Sequence, residues 1–110
     1  GVLHGTPFFP QPDVPHMAEF MKRIEARGYP ADVYSAQGYD GMMLLAEAIR
    51  NKGADPDSIR LGLMEIKDFQ GVSAPESFYV APNGEFIRET MVVRVNEDLK
   101  YEVVYRSRVE

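Results

Sequence analysis

The chain has no cysteine. That excludes disulfide frameworks, thiolate zinc sites and cysteine nucleophiles, and it is compatible with any compartment. No apolar run approaches the roughly 18 residues that cross a bilayer. Basic charge is also short, with 12 Lys and Arg against 17 Asp and Glu, a net charge of −5. The two signs are interleaved, so no basic patch is available and a nucleic-acid partner is not expected. Glycine-rich phosphate loops are missing. Ser35, Ser58, Ser73 and Ser77 have neither a G-x-S-x-G context nor a histidine positioned as a base, so nucleophilic catalysis is not expected. His4 and His16 stand twelve residues apart with no further ligand at metal spacing. No enzyme activity, cofactor or metal is expected. The chain begins at Gly1 without a charged and then apolar leader, which fits either a removed signal segment or a piece of something larger.

What is present fits one modest domain of 110 residues, with 45% hydrophobic and 26% charged residues, enough to build a core. "GVLHGTPFFPQPDVPH" holds a short strand near Val2 to Thr6. Pro7, Pro10, Pro12 and Pro15 then forbid a continuous ladder, so the segment reads as a stiff crossover. A helix follows from Pro15 to about Arg27, with Asp13 or Val14 near its cap. Its apolar stripe is Met17, Phe20, Met21 and Ile24, and Gly28 ends it. "VYSAQGYDGMMLLAEAIRNKG" is a second helix. Ser35 is expected to cap it, Met42, Leu45, Ala46 and Ile49 to form its inner face with Tyr39 and Met43 beside them, and Gly53 to stop it. Asp55 and Pro56 start a third helix whose inward residues are Ile59, Leu63 and Ile66.

Beyond the loop "DFQGVSAPE" the period changes from 3.6 to 2. "SFYVAPNGEFIRETMVVRV" reads as a strand, a turn at Asn83-Gly84 and a longer strand. "NEDLKYEVVYRSR" adds a third strand after a turn at Asn96 to Asp98. Its alternation of Leu99, Tyr101, Val103 and Tyr105 with Lys100, Glu102 and Arg106 marks a sheet wet on one face. The second helix is apolar nearly all round, more than two short helices and a meander can cover. The isolated chain is therefore expected to self-associate.

Taken in order, "YSAQGYDGMMLLAEAIRNKGADPDSIRLGLMEIKDFQG", "FYVAPNGEF" and "VVRVNEDLKYE" resemble the C-terminal third of type I periplasmic solute-binding proteins, the branched-chain amino acid receptors of ABC transporters above all. Tyr39-Asp40-Gly41 stands where that family has tyrosine, aspartate and usually alanine. Phe69-Gln70-Gly71 stands for its F-x-G signature, and Phe78 to Gly84 for its phenylalanine strand and turn.

The resemblance implies an α/β fold, part of a two-lobed Rossmann-like body, with helices followed by antiparallel strands. Residues 1–14 would be an interlobe crossover, 15–72 the helical part of the first lobe, and 73–110 strands returning toward the second. It implies an extracytoplasmic (periplasmic or extracellular) receptor that closes on a small amino acid or related carboxylate and presents it to an ABC permease. A sensory or chemoreceptor domain of the same fold is the alternative.

The implied ligand contacts are Tyr34, Ser35 and Gln37 at the entrance to the second helix, with Phe8 and Phe9 in the crossover. Aromatic rings give contact area at low entropy cost, and the first-turn amides around Ser35, Ala36 and Gln37 suit an anionic group. The alternatives are a tyrosine packed at a helix entrance, a serine that only caps, and phenylalanines that staple the crossover to a lobe. Asp40 reads as a carboxylate satisfying first-turn amides and the helix dipole.

Overall fold

In the computed structural model, which describes residues 1–107, the order is β1 (Leu3–Thr6), α1 (Pro15–Glu25), α2 (Val33–Lys52), α3 (Pro56–Glu65), β2 (Tyr79–Val80), β3 (Phe86–Ile87), β4 (Met91–Val95) and β5 (Tyr101–Arg106). The fold is α/β, helices followed by antiparallel strands. Residues 108–110, the end of the last segment expected from the sequence, lie outside the described residues.

Local signals set most boundaries. Pro15 opens α1 behind Val14, and Gly28 follows it at a positive φ of 84°. Met17 and Phe20 are buried, with Ile24 packed against their cluster. Helix α2 starts at Val33 as expected, but its cap lies three residues before the expected Ser35. Asp32, not Ser35, is the N-cap residue, and its carboxylate accepts from Ser35 N at 2.9 Å. Ser35 answers by accepting from Asp32 N at 3.0 Å, which closes a capping box. Asp55 caps α3 in the expected way, accepting from Ser58 N at 3.0 Å.

The inner face of α2 differs from the expected one. Its buried residues are Ala36, Asp40, Leu44 and Ala48, one every fourth position, whereas Met42 is 64% exposed. The reason is the neighbour. At Gly62 of α3 an added Cβ would lie 2.8 Å from the Ala48 carbonyl oxygen, so the two helices touch through their smallest residues. That approach selects the Leu44–Ala48 edge of α2. Leu44 then joins Ile66, Phe69 and Phe78 in one cluster, and Phe8, Met17, Phe20 and Ala36 form another.

The expected long strand after Asn83-Gly84 is also divided. Its first part, β3, pairs with β2 across the turn, where Gly84 takes a φ of 89°. Its second part, β4, leaves for a separate sheet of order β1-β4-β5, antiparallel throughout. The break falls at Arg88, Glu89 and Thr90, where Arg88 turns to two backbone carbonyls and Glu89 is buried. The turn into β5 opens at Asn96 as expected, its Oδ1 accepting from the amides of Asp98 and Lys100, each at 3.0 Å. It also takes in Leu99 and Lys100, both expected in the strand: Leu99 is exposed at a φ of 59° and β5 begins at Tyr101. The ladder slips at Val92/Val93, leaving Val104 as the extra residue, which breaks the simple alternation expected of β5.

The elements pack in two groups. Helix α2 lies on α3, α3 on β2 and β2 on β3, while β4 lies between β1 and β5. Among the described residues no comparable packing joins these groups. The molecule is accordingly long, 51 × 33 × 19 Å. Its radius of gyration is 15.5 Å, against about 13 Å for a compact domain of this length.

The revised α2 face makes a direct prediction. Leu44→Ala should cost roughly 2–5 kcal/mol of stability, the range for truncating a buried leucine. Met42→Ala should stay within about 0.5 kcal/mol, as a surface change does. Denaturant unfolding of both variants checks this, and equal losses would restore the face expected from sequence.

Candidate functional site

The α2 entrance is where an aromatic residue stands free. Tyr34, in the first turn, is 83% exposed, and Gln37 lies one turn on and is also exposed. Gln37 borders a cavity of about 310 Å³ shared with Asp40, Gly41, Leu44, Phe78, Phe86 and Arg88. Ser35 is committed locally. Its hydroxyl lies 2.9 Å from the Pro30 carbonyl as donor, and its oxygen accepts from Asp32 N. Because the Asp32 carboxylate already caps this terminus and holds the Ser35 amide, the entrance is occupied by a negative charge. It does not provide the open anion site expected around Ser35, Ala36 and Gln37.

The two crossover phenylalanines separate. Phe8 is 5% exposed, packed among Met17, Phe20 and Ala36. Phe9 is half-buried, with its ring edge-on to Tyr101 of β5 at 6.4 Å. The structure therefore brings Tyr34 and Gln37 onto neighbouring turns, with Ser35 between them as a cap. It does not bring either phenylalanine to that surface.

Asp40 is the residue that sequence reasoning undervalued. It is only 3% exposed, eight positions into α2, and it serves the loop after α3, not the first-turn amides. Its carboxylate accepts from Val72 N at 2.8 Å, from Ser73 N at 2.9 Å and from the Ser73 hydroxyl. A Cβ at Gly71 would overlap that carboxylate, so only glycine lets the loop come so close. Ser73 in turn accepts, through its carbonyl, from Arg88 at 2.9 Å. The same guanidinium nitrogen donates to the Pro7 carbonyl at 2.8 Å, and the group lies 5.4 Å from the Phe78 ring centroid. Burial lowers the Arg88 pKa, and Asp40 and Glu89 oppose that shift.

Glu89 points the other way. It is 2% exposed, its Oε1 lies 3.8 Å from Arg106 Nε, and its Oε2 has no partner among the described residues. Burial pushes its carboxyl up and the Glu76 charge adds to the rise, while Arg106, a hydrogen bond from the Glu76 backbone amide and Arg88 pull it back. Arg106 also donates to the Gln11 side chain. His16 is tied to the loop, its Nε2 3.1 Å from the Ala74 carbonyl. No group of three or more His, Cys, Asp or Glu capable of holding a metal occurs among the described residues.

A family model for periplasmic binding proteins matches residues 1–100, and the chain belongs to that family. The family is one of ligand-binding proteins rather than enzymes. Solved structures agree in fold. A leucine-binding protein from Thermotoga maritima is similar with a TM-score of 0.77 at 24% identity, over 96% of this chain and 30% of its own. A periplasmic binding protein from Burkholderia mallei gives 0.81 at 14%, over 100% and 31%. A branched-chain amino acid ABC transporter ligand-binding protein from Burkholderia xenovorans gives 0.78 at 23%, over 94% and 29%. The chain thus spans about 30% of the length of the structures it matches. A search of curated proteins finds no match.

Removing the Asp40 carboxylate should be severe. Asp40→Ala strands three donors, two of them buried on Ser73. At about 1.5–3 kcal/mol for each hydrogen bond to a charged group, the two buried ones alone put the loss at about 3 kcal/mol or more. Gly71→Ala, which adds one methyl group on the opposite side of the same contact, should destabilise as well. Thermal melting of each variant is the measurement, and a native-like Asp40→Ala would show that the contact carries no weight.

Proposed function

We propose that the chain is the C-terminal part of an extracytoplasmic solute-binding receptor that holds a small amino acid or related carboxylate between two lobes and delivers it to an ABC permease. The observation that carries this reading is the family match over residues 1–100. The names of two neighbours, a leucine-binding protein and a branched-chain amino acid receptor, support the ligand class. The same membership supports a periplasmic or extracellular location. No helix among the described residues is long and apolar enough to cross a membrane.

The packing favours a lobe boundary at Arg88 to Thr90 rather than at Ser73, because the β2–β3 hairpin sides with α3 while β4 and β5 side with β1. Residues 7–14 and 88–90 are then the two passes between lobes. In this reading Tyr34 supplies apolar area and a hydroxyl to the ligand, and Gln37 supplies an amide beside it. Ser35 acts by fixing the turn that carries them. Phe8 and Phe9 act on the crossover, by core packing and by the contact with Tyr101.

In the whole receptor, Tyr34→Ala should weaken binding by about 1–3 kcal/mol, the scale of a lost aromatic contact, with folding preserved because the ring packs on little here. Calorimetric titration against the twenty amino acids, with melting as control, tests both the receptor and its site. Unchanged affinity in Tyr34→Ala removes the residue from the site, and a parent that binds none of them removes the ligand class.

The 110-residue chain by itself should associate. Met42, Met43 and Ile49 on α2 and Leu61 on α3 are all exposed large hydrophobics, and patches of that kind are rarely left bare by soluble monomers. Sedimentation at micromolar concentration should show more than the 12.4 kDa monomer; a stable monomer would contradict the expectation.

A further inference from the structure

Arg88 and Glu89 are consecutive residues at the one link between the β2–β3 hairpin and β4, and they hold opposite bodies. One nitrogen of Arg88 binds the Pro7 carbonyl, on the outgoing pass, and the Ser73 carbonyl, on the loop that Asp40 fastens to α2. Its guanidinium rests on Phe78. A single side chain therefore clasps both passes and the helical body at the point where the chain changes group. Packing between the groups is otherwise slight, so this clasp governs their relative angle more than it governs either core.

Glu89 faces the three-stranded sheet under different conditions. It is buried with one oxygen unpartnered among the described residues and the other 3.8 Å from Arg106, longer than a charge-assisted hydrogen bond. Arg106 is meanwhile engaged by Gln11, in the 7–14 pass. Both side chains are thus held in part: Arg88 Nε and Glu89 Oε2 are each buried without a partner among the described residues.

We propose that Arg88 is a positioning residue of the receptor: it pins the angle between the helical body and the β1-β4-β5 sheet. The proposal rests on the two-lobed receptor reading. It goes further in assigning to a named side chain the resting angle from which the lobes close. Losing the pin changes the share of molecules in the competent angle, and apparent affinity scales with that share even though Arg88 touches no ligand.

The test needs no ligand. In the whole receptor, spin labels on cysteines placed at the exposed positions Asp57 of α3 and Lys100 in the β4–β5 turn report the distance between the two bodies. Arg88→Met keeps an apolar stem over Phe78 but removes the donors. It should broaden the distance distribution or add a population that the parent lacks. Arg88→Lys restores a donor and should return the distribution toward the parent's, which a purely structural loss would not do. An Arg88→Met distribution identical to the parent's overturns the proposal.

If Arg88→Met does not fold, Arg88→Gln, which keeps a shorter neutral donor, decides: it should broaden the distribution, and one identical to the parent's overturns the proposal. The receptor reading fails separately, by absence of amino acid binding in the parent, so the two failures are distinguishable.

Discussion

The carboxylate of Asp40 organises this chain. A buried carboxylate is costly unless its oxygens are fully engaged. Here two backbone amides and a hydroxyl from residues 72 and 73 engage them. The loop can reach that depth only because residue 71 has no side chain. The Tyr-Asp pair on α2 and the F-x-G after α3 are thus two halves of one contact. Tyr39 packs against Phe20 of α1 with ring centroids 5.4 Å apart, and Phe69 bridges Phe78 through both backbone hydrogen bonds. Each motif secures its own element while Asp40 and Gly71 lock the two together. Ser73, held by the lock, then offers its carbonyl to Arg88, so the same contact extends to the link between the two groups of elements.

What was legible in the sequence and what was not divides along sequence separation. Caps and turns carry their instructions within four residues: Asp55-Pro56 at α3, Asn83-Gly84 in the hairpin and Asn96 before β5 could all be read. The cap of α2 was placed three residues late, at Ser35, because Ser35 and Asp32 are both competent caps and only the geometry ranks them. Asp40 could not be read, since its partners lie 32 and 33 residues away and a carboxylate early in a helix has a cheaper local explanation. The inner face of α2 was misjudged for a related reason. Large apolar residues surround the helix, and the choice among faces is made by Gly62 and by Asp40, neither of which scores as hydrophobic. The pairing of β1 with β4 spans nearly the whole chain and leaves no local trace.

For the site, the contacts came from the family resemblance, and the residues themselves offered only a weaker chemical signal. Tyrosine and glutamine in the first turns of an otherwise apolar helix indicated a surface kept wet, and Tyr34 and Gln37 are exposed. Phe8 and Phe9 gave no such signal. Adjacent phenylalanines between prolines are equally compatible with core and with cleft, and here one packs in the core and the other meets Tyr101. Proline fixes where such a segment can bend, but not which of its rings turns inward.

The helix terminus constrains the chemistry of recognition. Asp32 has already placed a carboxylate at the positive end of α2 and taken the Ser35 amide. An incoming carboxylate would meet repulsion there in place of free donors. Under the proposed reading, a ligand approaching Tyr34 would therefore present its uncharged or apolar part to α2. This chain spans about 30% of the length of its structural neighbours, so under the proposed reading the charged end of the ligand would be held by other parts of the receptor and α2 would meet the rest. A tyrosine is suited to the second task, since its ring accepts aliphatic and aromatic groups alike and its hydroxyl tolerates a polar tip.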